Sequence, residues 1–172
     1  MLSSLFARRS DVQDPALWTP PGTTVVQRYR NTLGEGEGAI VLVYTGDGDR
    51  GLTYFAAACL GCTYRAASDS HRSRLTEPEA ANNHAASCRA MNRGIPAAPD
   101  DTEAATIVRS RLWDLRQHGA YSPHYVTLRD FNIDRVDLQR PAEFIKQTMS
   151  VFRLATDGMT AARAQRTRHP CR

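Results

Sequence analysis

The sequence predicts an α+β fold, with an antiparallel β-meander at the N-terminus and a helical C-terminal half. Strand-like runs, rich in β-branched and aromatic residues, fall in the first third of the chain and are separated by glycine-rich turns. Helical periodicity dominates beyond about residue 100. A length of 172 residues, 41% of them hydrophobic, is enough for one ordinary domain.

The predicted strands run from Thr23 to Arg30, from Ala39 to Thr45 and from Leu52 to Ala58. Two turns that are rich in glycine, Gly34 to Gly38 and Gly46 to Gly51, separate them. Short connections of this kind join neighbouring antiparallel strands as hairpins. The three strands are therefore expected to form a meander.

The predicted helices follow the strands. Thr76 and Glu79 form a capping box with a proline between them, so a helix should begin there and run to about Met91. Apolar residues at helical spacing predict two more helices, from about Thr102 to His118 and from about Pro141 to Thr156. Between these two, the alternation of apolar residues from Tyr125 to Leu138 predicts extended structure.

The distribution of charge divides the chain further. The net charge of +4 arises from 22 basic and 18 acidic residues. Residues 158–172 hold four arginines and no acid, so the first 157 residues balance at 18 basic against 18 acidic. Residues 158–172 are therefore expected to form a basic tail. The predicted strands and helices divide the rest of the chain into an N-terminal extension (1–22), a β-meander with an embedded module that contains cysteine and histidine (23–93), and a helical or mixed region (100–157).

The sequence also indicates a compartment. No apolar run approaches the length of a bilayer-spanning helix, and residues 1–9 lack the apolar core of a secretory signal. A cytoplasmic protein without a membrane partner is expected. In a reducing compartment, cysteines that occur in pairs indicate metal or redox chemistry rather than structural disulfides.

Four residues have the spacing of a metal site. Cys59 and Cys62 flank a two-residue turn at the end of a strand, and His84 and Cys88 lie four residues apart on the helix that the capping box predicts. Three thiolates and an imidazole form a closed tetrahedral set that suits one structural Zn²⁺ ion. His71 is an alternative to His84, but it lies in a loop that does not fix its position.

The same helix has a thin apolar face. Its predicted inward stripe is Ala81, His84, Cys88 and Met91, which buries too little apolar surface to hold a helix on a sheet. Structural zinc contributes on the order of 10 kcal/mol to folding, more than these small side chains would. The metal is therefore expected to supply the folding free energy that burial of this thin apolar face does not.

The segment from about Leu52 to Arg93, here called the metal module, resembles the ββα zinc fingers, in the variant with a terminal cysteine. The knuckle of Cys59 and Cys62 on a hairpin and the helical pair of His84 and Cys88 carry this resemblance. It departs from the family in its 21-residue gap between Cys62 and His84, which is longer than usual. A longer loop means that the start of the helix need not enter a DNA groove as it does in a compact finger.

We expect a binding protein without catalytic activity, with nucleic acid as the first partner to test. The basic residues that would contact it are Arg65, Arg72, Arg74, Arg89 and Arg93 in the metal module and Arg163, Arg166 and Arg168 in the tail. A DNA-binding or regulatory role is thus expected first, and the alternative is an adaptor with structural zinc that binds another protein.

A second alternative is a thiol–disulfide oxidoreductase that uses Cys59 and Cys62. The thioredoxin arrangement requires a long helix that begins at the second cysteine, whereas the residues from Thr63 to Arg74 are polar and predict irregular structure. A catalytic zinc site would leave one coordination position open, and four protein ligands close it.

Overall fold

The computed structural model describes residues 14–32, 38–46, 55–67, 76–118 and 126–151. Among these residues, a four-stranded antiparallel sheet precedes a set of helices, which confirms the α+β class. The strands are β1 (Thr23–Arg30), β2 (Ile40–Gly46), β3 (Ala56–Cys59) and β4 (Arg65–Ala67), and they lie in sequence order across the sheet. The predicted meander is therefore present, with one additional strand.

Strand β2 forms the centre of the core because both of its faces are covered. All seven of its residues are buried. Val41 and Val43 point to one face of the sheet, while Leu42 and Tyr44 point to the other. A strand that is covered on both faces is continuously apolar rather than alternating, which is the pattern of this segment.

The helices cover the two faces of this sheet separately. Helix α1 (Glu77–Ser87) packs its Ala81 and Ala85 against Val41 and Val43. On the opposite face, Trp18 from the N-terminal extension and Val136 from the C-terminal half pack against Leu42 and Tyr44. The sheet thus lies between α1 and the C-terminal half.

The C-terminal half consists of α2 (Asp101–His118), a 3₁₀ helix (Leu128–Asp134), α3 (Arg135–Leu138) and α4, which is described over residues 142–151. These helices share a second core of Ala104, Val108, Leu112, Phe131, Leu138 and Ile145. None of the helices in the described residues is long and apolar enough to cross a bilayer.

The predicted extended structure from Tyr125 to Leu138 is wrong where the chain is described. The backbone N–H of Thr127 donates to the Asp130 carboxylate at 2.7 Å, and this capping box starts the 3₁₀ helix. Phe131, Val136 and Leu138 are all buried, but they do not share one face of a strand. Phe131 lies in the 3₁₀ helix, and Val136 and Leu138 lie in α3. The Thr-x-x-Asp signal is present in the sequence and outweighs the apparent alternation.

Two smaller differences affect the metal module. The residues after Thr63 are not irregular throughout, because Arg65–Ala67 form β4 and pair with β3. Helix α1 ends at Ser87, before the predicted Met91, whose side chain is 60% exposed and does not join the inward stripe. Most of both glycine-rich turns, the loop that contains His71, and the basic tail lie outside the described residues.

Candidate metal centre

The structure brings together the four residues that the sequence indicates as ligands. The three sulfur atoms and one imidazole nitrogen of Cys59, Cys62, His84 and Cys88, here called the Cys₃His cluster, all lie within 4.8 Å of one another. The Cys62 sulfur is 3.4 Å from His84 Nε2. Zn–S bonds of about 2.3 Å and Zn–N bonds near 2.0 Å in a tetrahedron separate sulfur from nitrogen by roughly 3.6 Å. The cluster therefore has the dimensions of a site for one metal ion.

The hairpin of β3 and β4 positions the first two ligands. Cys59 is the last residue of β3, and the turn that contains Gly61 and Cys62 leads into β4. A Cβ atom at Gly61 would meet the Cβ of Ala39 and would lie 2.5 Å from the carbonyl oxygen of Met91. Glycine in the Cys-Leu-Gly-Cys turn thus lets the knuckle approach the chain that follows α1.

Helix α1 and its C-terminus position the other two ligands. The backbone N–H of Thr76 donates to the Glu79 carboxylate at 2.8 Å, so the predicted capping box does begin this helix. His84 lies in its last turn, and Cys88 is the C-cap residue, with extended backbone (φ −67°, ψ 131°). The two ligands therefore do not share a helix face as expected, since the chain leaves the helix at Cys88 and turns its sulfur toward the cluster.

The three sulfur atoms are hydrogen-bonded in the same way. Each cysteine sulfur accepts the backbone N–H of the residue two positions later, which is Gly61 for Cys59, Tyr64 for Cys62 and Ala90 for Cys88, all at 3.4 Å. Such bonds stabilise a thiolate, the form that binds metal. Cys59 is buried and the other three ligands are partly buried.

The ionisation of the free side chains follows from these surroundings. Burial raises the pKa of the Cys59 thiol to about 11, and the Gly61 N–H opposes that effect. Burial lowers the pKa of His84, which favours the neutral imidazole that metals require. Burial also acts to raise the pKa of Cys88, but hydrogen bonds led by the Ala90 N–H outweigh it and lower the pKa. A bound cation would favour thiolates further, because it replaces the thiol proton.

Two side chains that the sequence does not indicate support the cluster from outside. The Tyr64 ring stacks on the His84 imidazole, with 3.8 Å between centroids and 10° between planes, and this orients the ligand. Asn31, which is buried at the end of β1, donates from Nδ2 to the Ala90 carbonyl at 2.6 Å and also contributes a hydrogen bond that lowers the pKa of Cys88. Outer-shell bonds of this kind orient metal ligands.

The arginines expected to bind nucleic acid have different surroundings. Arg89 and Arg93 are exposed on the chain that follows α1. Arg65 is instead engaged inside the protein, where it pairs with Asp137 and bonds carbonyl groups of the knuckle. Its guanidinium therefore already has partners within the protein. The remaining arginines of that set, Arg72, Arg74, Arg163, Arg166 and Arg168, lie outside the described residues.

No family model, curated protein or solved structure matches this chain. The assignment of a function therefore depends on the geometry of the Cys₃His cluster and on the charge around it.

Proposed function

We propose that this chain is a binding protein whose sheet and first helix are held together by one structural zinc ion in the Cys₃His cluster. The observation that carries the proposal is the convergence of four ligand atoms within 4.8 Å, from a hairpin and a helix end. Three thiolates and an imidazole are typical zinc ligands. Four protein ligands leave no position for a substrate or an activated water, which favours a structural ion.

The order of elements supports the resemblance to a ββα finger. Strand β3, the knuckle, β4 and α1 follow one another as they do in that family, and the cysteine pair and the His/Cys pair occupy the corresponding elements. Unlike an isolated finger, the hairpin extends a larger sheet, because β3 also pairs with β2. The first turn of α1 carries Glu77, which is buried, and Glu79, whose exposed carboxylate would repel DNA phosphates. A nucleic acid is therefore expected to contact the opposite end of the helix, near Arg89 and Arg93.

The oxidoreductase alternative is less well supported. Cys62 is followed by a turn and then by β4, rather than by the helix whose N-terminus lowers the pKa of a thioredoxin-type cysteine. The Cys59 thiol is 1% exposed, and its raised pKa makes it a poor nucleophile. These features suit a metal ligand better than an exchanging thiol.

The purified protein should contain one zinc ion per chain. Elemental analysis and native mass spectrometry measure this stoichiometry directly. Cys62→Ser should lose most of the metal, because three ligands hold zinc more weakly than four. Cys171→Ser is the matched control, since this cysteine is not one of the four ligands, and His71→Ala is a second control; both should keep one zinc. A metal-free protein with a reversible Cys59–Cys62 disulfide would instead support the oxidoreductase.

Binding to nucleic acid should depend on both the tail and the metal module. Removal of residues 159–172 should weaken binding to every duplex alike and flatten the plot of log K against log salt by roughly 0.9 per lost phosphate contact, because fewer counterions are released. Substitution of Arg72 and Arg74, or of the exposed Arg89 and Arg93, should instead change any preference for sequence or shape, since only residues fixed by the fold can read a groove.

Electrophoretic and fluorescence titrations with random duplex DNA over a range of salt concentrations measure both effects. Arg109→Ala, an exposed arginine on α2, is the matched control and should leave binding unchanged. If the zinc-loaded protein shows no binding near about 50 mM salt, where electrostatic association is strong, the partner is another protein and the adaptor function is favoured.

A further inference from the structure

We propose that Arg65 and Asp137 form a clamp through which the C-terminal half of the protein controls the metal affinity of the Cys₃His cluster. This inference rests on the proposed metal site and adds a regulatory connection to it. Arg65 belongs to β4 beside the knuckle, and Asp137 belongs to α3, 72 residues further along the chain. The pair is here called the Arg65–Asp137 clamp.

One side of the clamp holds the knuckle. The Arg65 Nη1 atom donates to the carbonyl oxygens of Cys59 at 3.0 Å and of Tyr64 at 2.9 Å, with a longer contact of 3.4 Å to the carbonyl of Cys62. Nη1 thus bonds the backbone at Cys59, the first hairpin ligand, and at Tyr64, two residues after the second ligand, with a weaker contact to Cys62 itself. Because the three carbonyl groups surround one nitrogen atom, these bonds hold together the backbone on both sides of the knuckle turn.

The other side of the clamp fixes the guanidinium itself. Arg65 Nε donates to Asp137 Oδ2 at 2.8 Å, and Nη2 donates to Oδ1 at 2.6 Å, which is the bidentate geometry of a strong arginine–carboxylate pair. The arginine side chain is only 19% exposed. The two bonds to Asp137 use Nε and Nη2. The remaining nitrogen, Nη1, lies on the side of the guanidinium that faces the knuckle.

The position of Asp137 between two buried residues of α3 makes the clamp a connection between the two halves, and its own side chain is 46% exposed. Val136 packs into the core beneath the sheet, and Leu138 packs into the core of the C-terminal helices. Both residues are fully buried, so α3 is a fixed support for the carboxylate between them. Movement of α3 away from the sheet would withdraw Asp137 from Arg65 and leave the knuckle less ordered.

This arrangement predicts a measurable coupling. Loss of an outer-shell partner of a metal site reduces metal affinity by roughly 10- to 100-fold. Coupling between two equilibria is reciprocal. If docking of α3 against the sheet raises the metal affinity by a given factor, metal binding raises the equilibrium constant for α3 docking by the same factor. Loss of metal would therefore loosen the C-terminal half from the sheet and expose the surfaces between them.

The test compares the zinc affinity of the full chain with that of Asp137→Asn and Arg65→Lys, by competition with a chromogenic chelator. Both variants should bind zinc roughly tenfold more weakly, at the lower end of the outer-shell range, because Arg65 bonds the backbone of the ligands rather than their sulfur atoms. The thiolate-to-metal absorption of the cobalt-substituted protein should also shift, since the knuckle geometry changes. The double variant should lose no more affinity than the larger of the single losses, because the two residues act through one connection.

Asp101→Asn is the matched control. Asp101 forms an ion pair of 3.0 Å with Arg140, whose side chain is also 19% exposed, and this pair does not touch the knuckle. The control should bind zinc as tightly as the unmodified chain and leave the cobalt spectrum unchanged.

Amide hydrogen exchange gives a second readout in the same proteins. In the unmodified chain, zinc should increase the protection of α3 and the 3₁₀ helix, and in Asp137→Asn it should not. Zinc affinity within about twofold of the unmodified chain in both Asp137→Asn and Arg65→Lys, with an unchanged cobalt spectrum, would overturn the clamp while the metal site stands. An unmodified chain that binds no zinc would overturn the metal site and the clamp together.

Discussion

Chelation of the metal should unfold helix α1 while α2 and its core remain folded. The reason is the small apolar surface that α1 buries. Its buried side chains are Glu77, Ala81 and Ala85, and the two methyl groups contribute about 2 kcal/mol. Ordering its 11 residues costs on the order of 10 kcal/mol or more in backbone entropy, and an isolated helix of this length is marginal in water. A structural zinc ion contributes on the order of 10 kcal/mol, which is enough to offset this entropic cost and keep α1 folded.

The C-terminal core does not depend on the metal in the same way. It buries Val108, Leu112, Phe131 and other large apolar side chains, none of which belongs to the metal module. The effect of chelation should therefore be local, with complete loss of protection at α1 and retention of protection at α2. The docking of α3 should loosen to the extent that the Arg65–Asp137 clamp transmits the change.

Hydrogen exchange with mass spectrometry, before and after addition of a strong chelator, measures this pattern segment by segment. Cys59→Ser should reproduce the chelated state without chelator, and Cys171→Ser should retain the protection of the untreated protein. If α1 keeps its protection after zinc has been removed, the helix is held by packing alone, and the structural role proposed for the ion is wrong.

Much of the fold can be predicted because its elements carry local signals. Strands β1 and β2 and helix α2 have strong periodicity and clear ends, and the structure has them within one residue of the predicted bounds. Strand β4 escapes prediction because its three residues are too few to show a pattern, and pairing with β3 determines its conformation. The 3₁₀ helix resembles extended structure in sequence because apolar residues at two-residue spacing also occur across two short, successive helices.

The ligands of the candidate site can be predicted, but their surroundings cannot. The spacing of cysteines and histidines in the sequence reflects the distance between ligand atoms that a metal ion requires, and that distance is set locally. Asn31 lies 57 positions before Cys88 in the sequence, and Asp137 lies 72 positions after Arg65; only the sheet and the docked C-terminal half bring them to the site. By charge alone Arg65 belongs with the other arginines, since nothing in the sequence indicates that a carboxylate from α3 would engage it.

Gly61→Ala should be among the most damaging single substitutions in the metal module, although it adds only one methyl group. The backbone of Gly61 is not among the glycines with positive φ, so alanine is conformationally acceptable there. The obstacle is space, because the new Cβ would meet the Cβ of Ala39 and lie 2.5 Å from the carbonyl oxygen of Met91. One of these two neighbours is backbone, which cannot move aside as a flexible side chain does.

The chain that must yield is the segment after α1, and Cys88 lies on it. Overpacking of a tight site costs about 1–3 kcal/mol, and here the displacement also moves a metal ligand. We therefore expect Gly61→Ala to lower the free energy of unfolding by about 3 kcal/mol in the zinc-loaded protein and to weaken zinc binding by roughly tenfold or more. Urea denaturation and chelator competition measure the two quantities.

Gly94→Ala separates steric contact from backbone strain. Gly94 has φ +82°, and a Cβ added there would meet no heavy atom within 4 Å, so alanine would cost about 1–2 kcal/mol in backbone energy without touching the cluster. It should destabilise the protein modestly and leave zinc affinity unchanged. If Gly61→Ala behaves like Gly94→Ala in both measurements, the close approach of the knuckle to the segment after α1 does not govern metal binding, and the Cys-Leu-Gly-Cys turn tolerates any small residue.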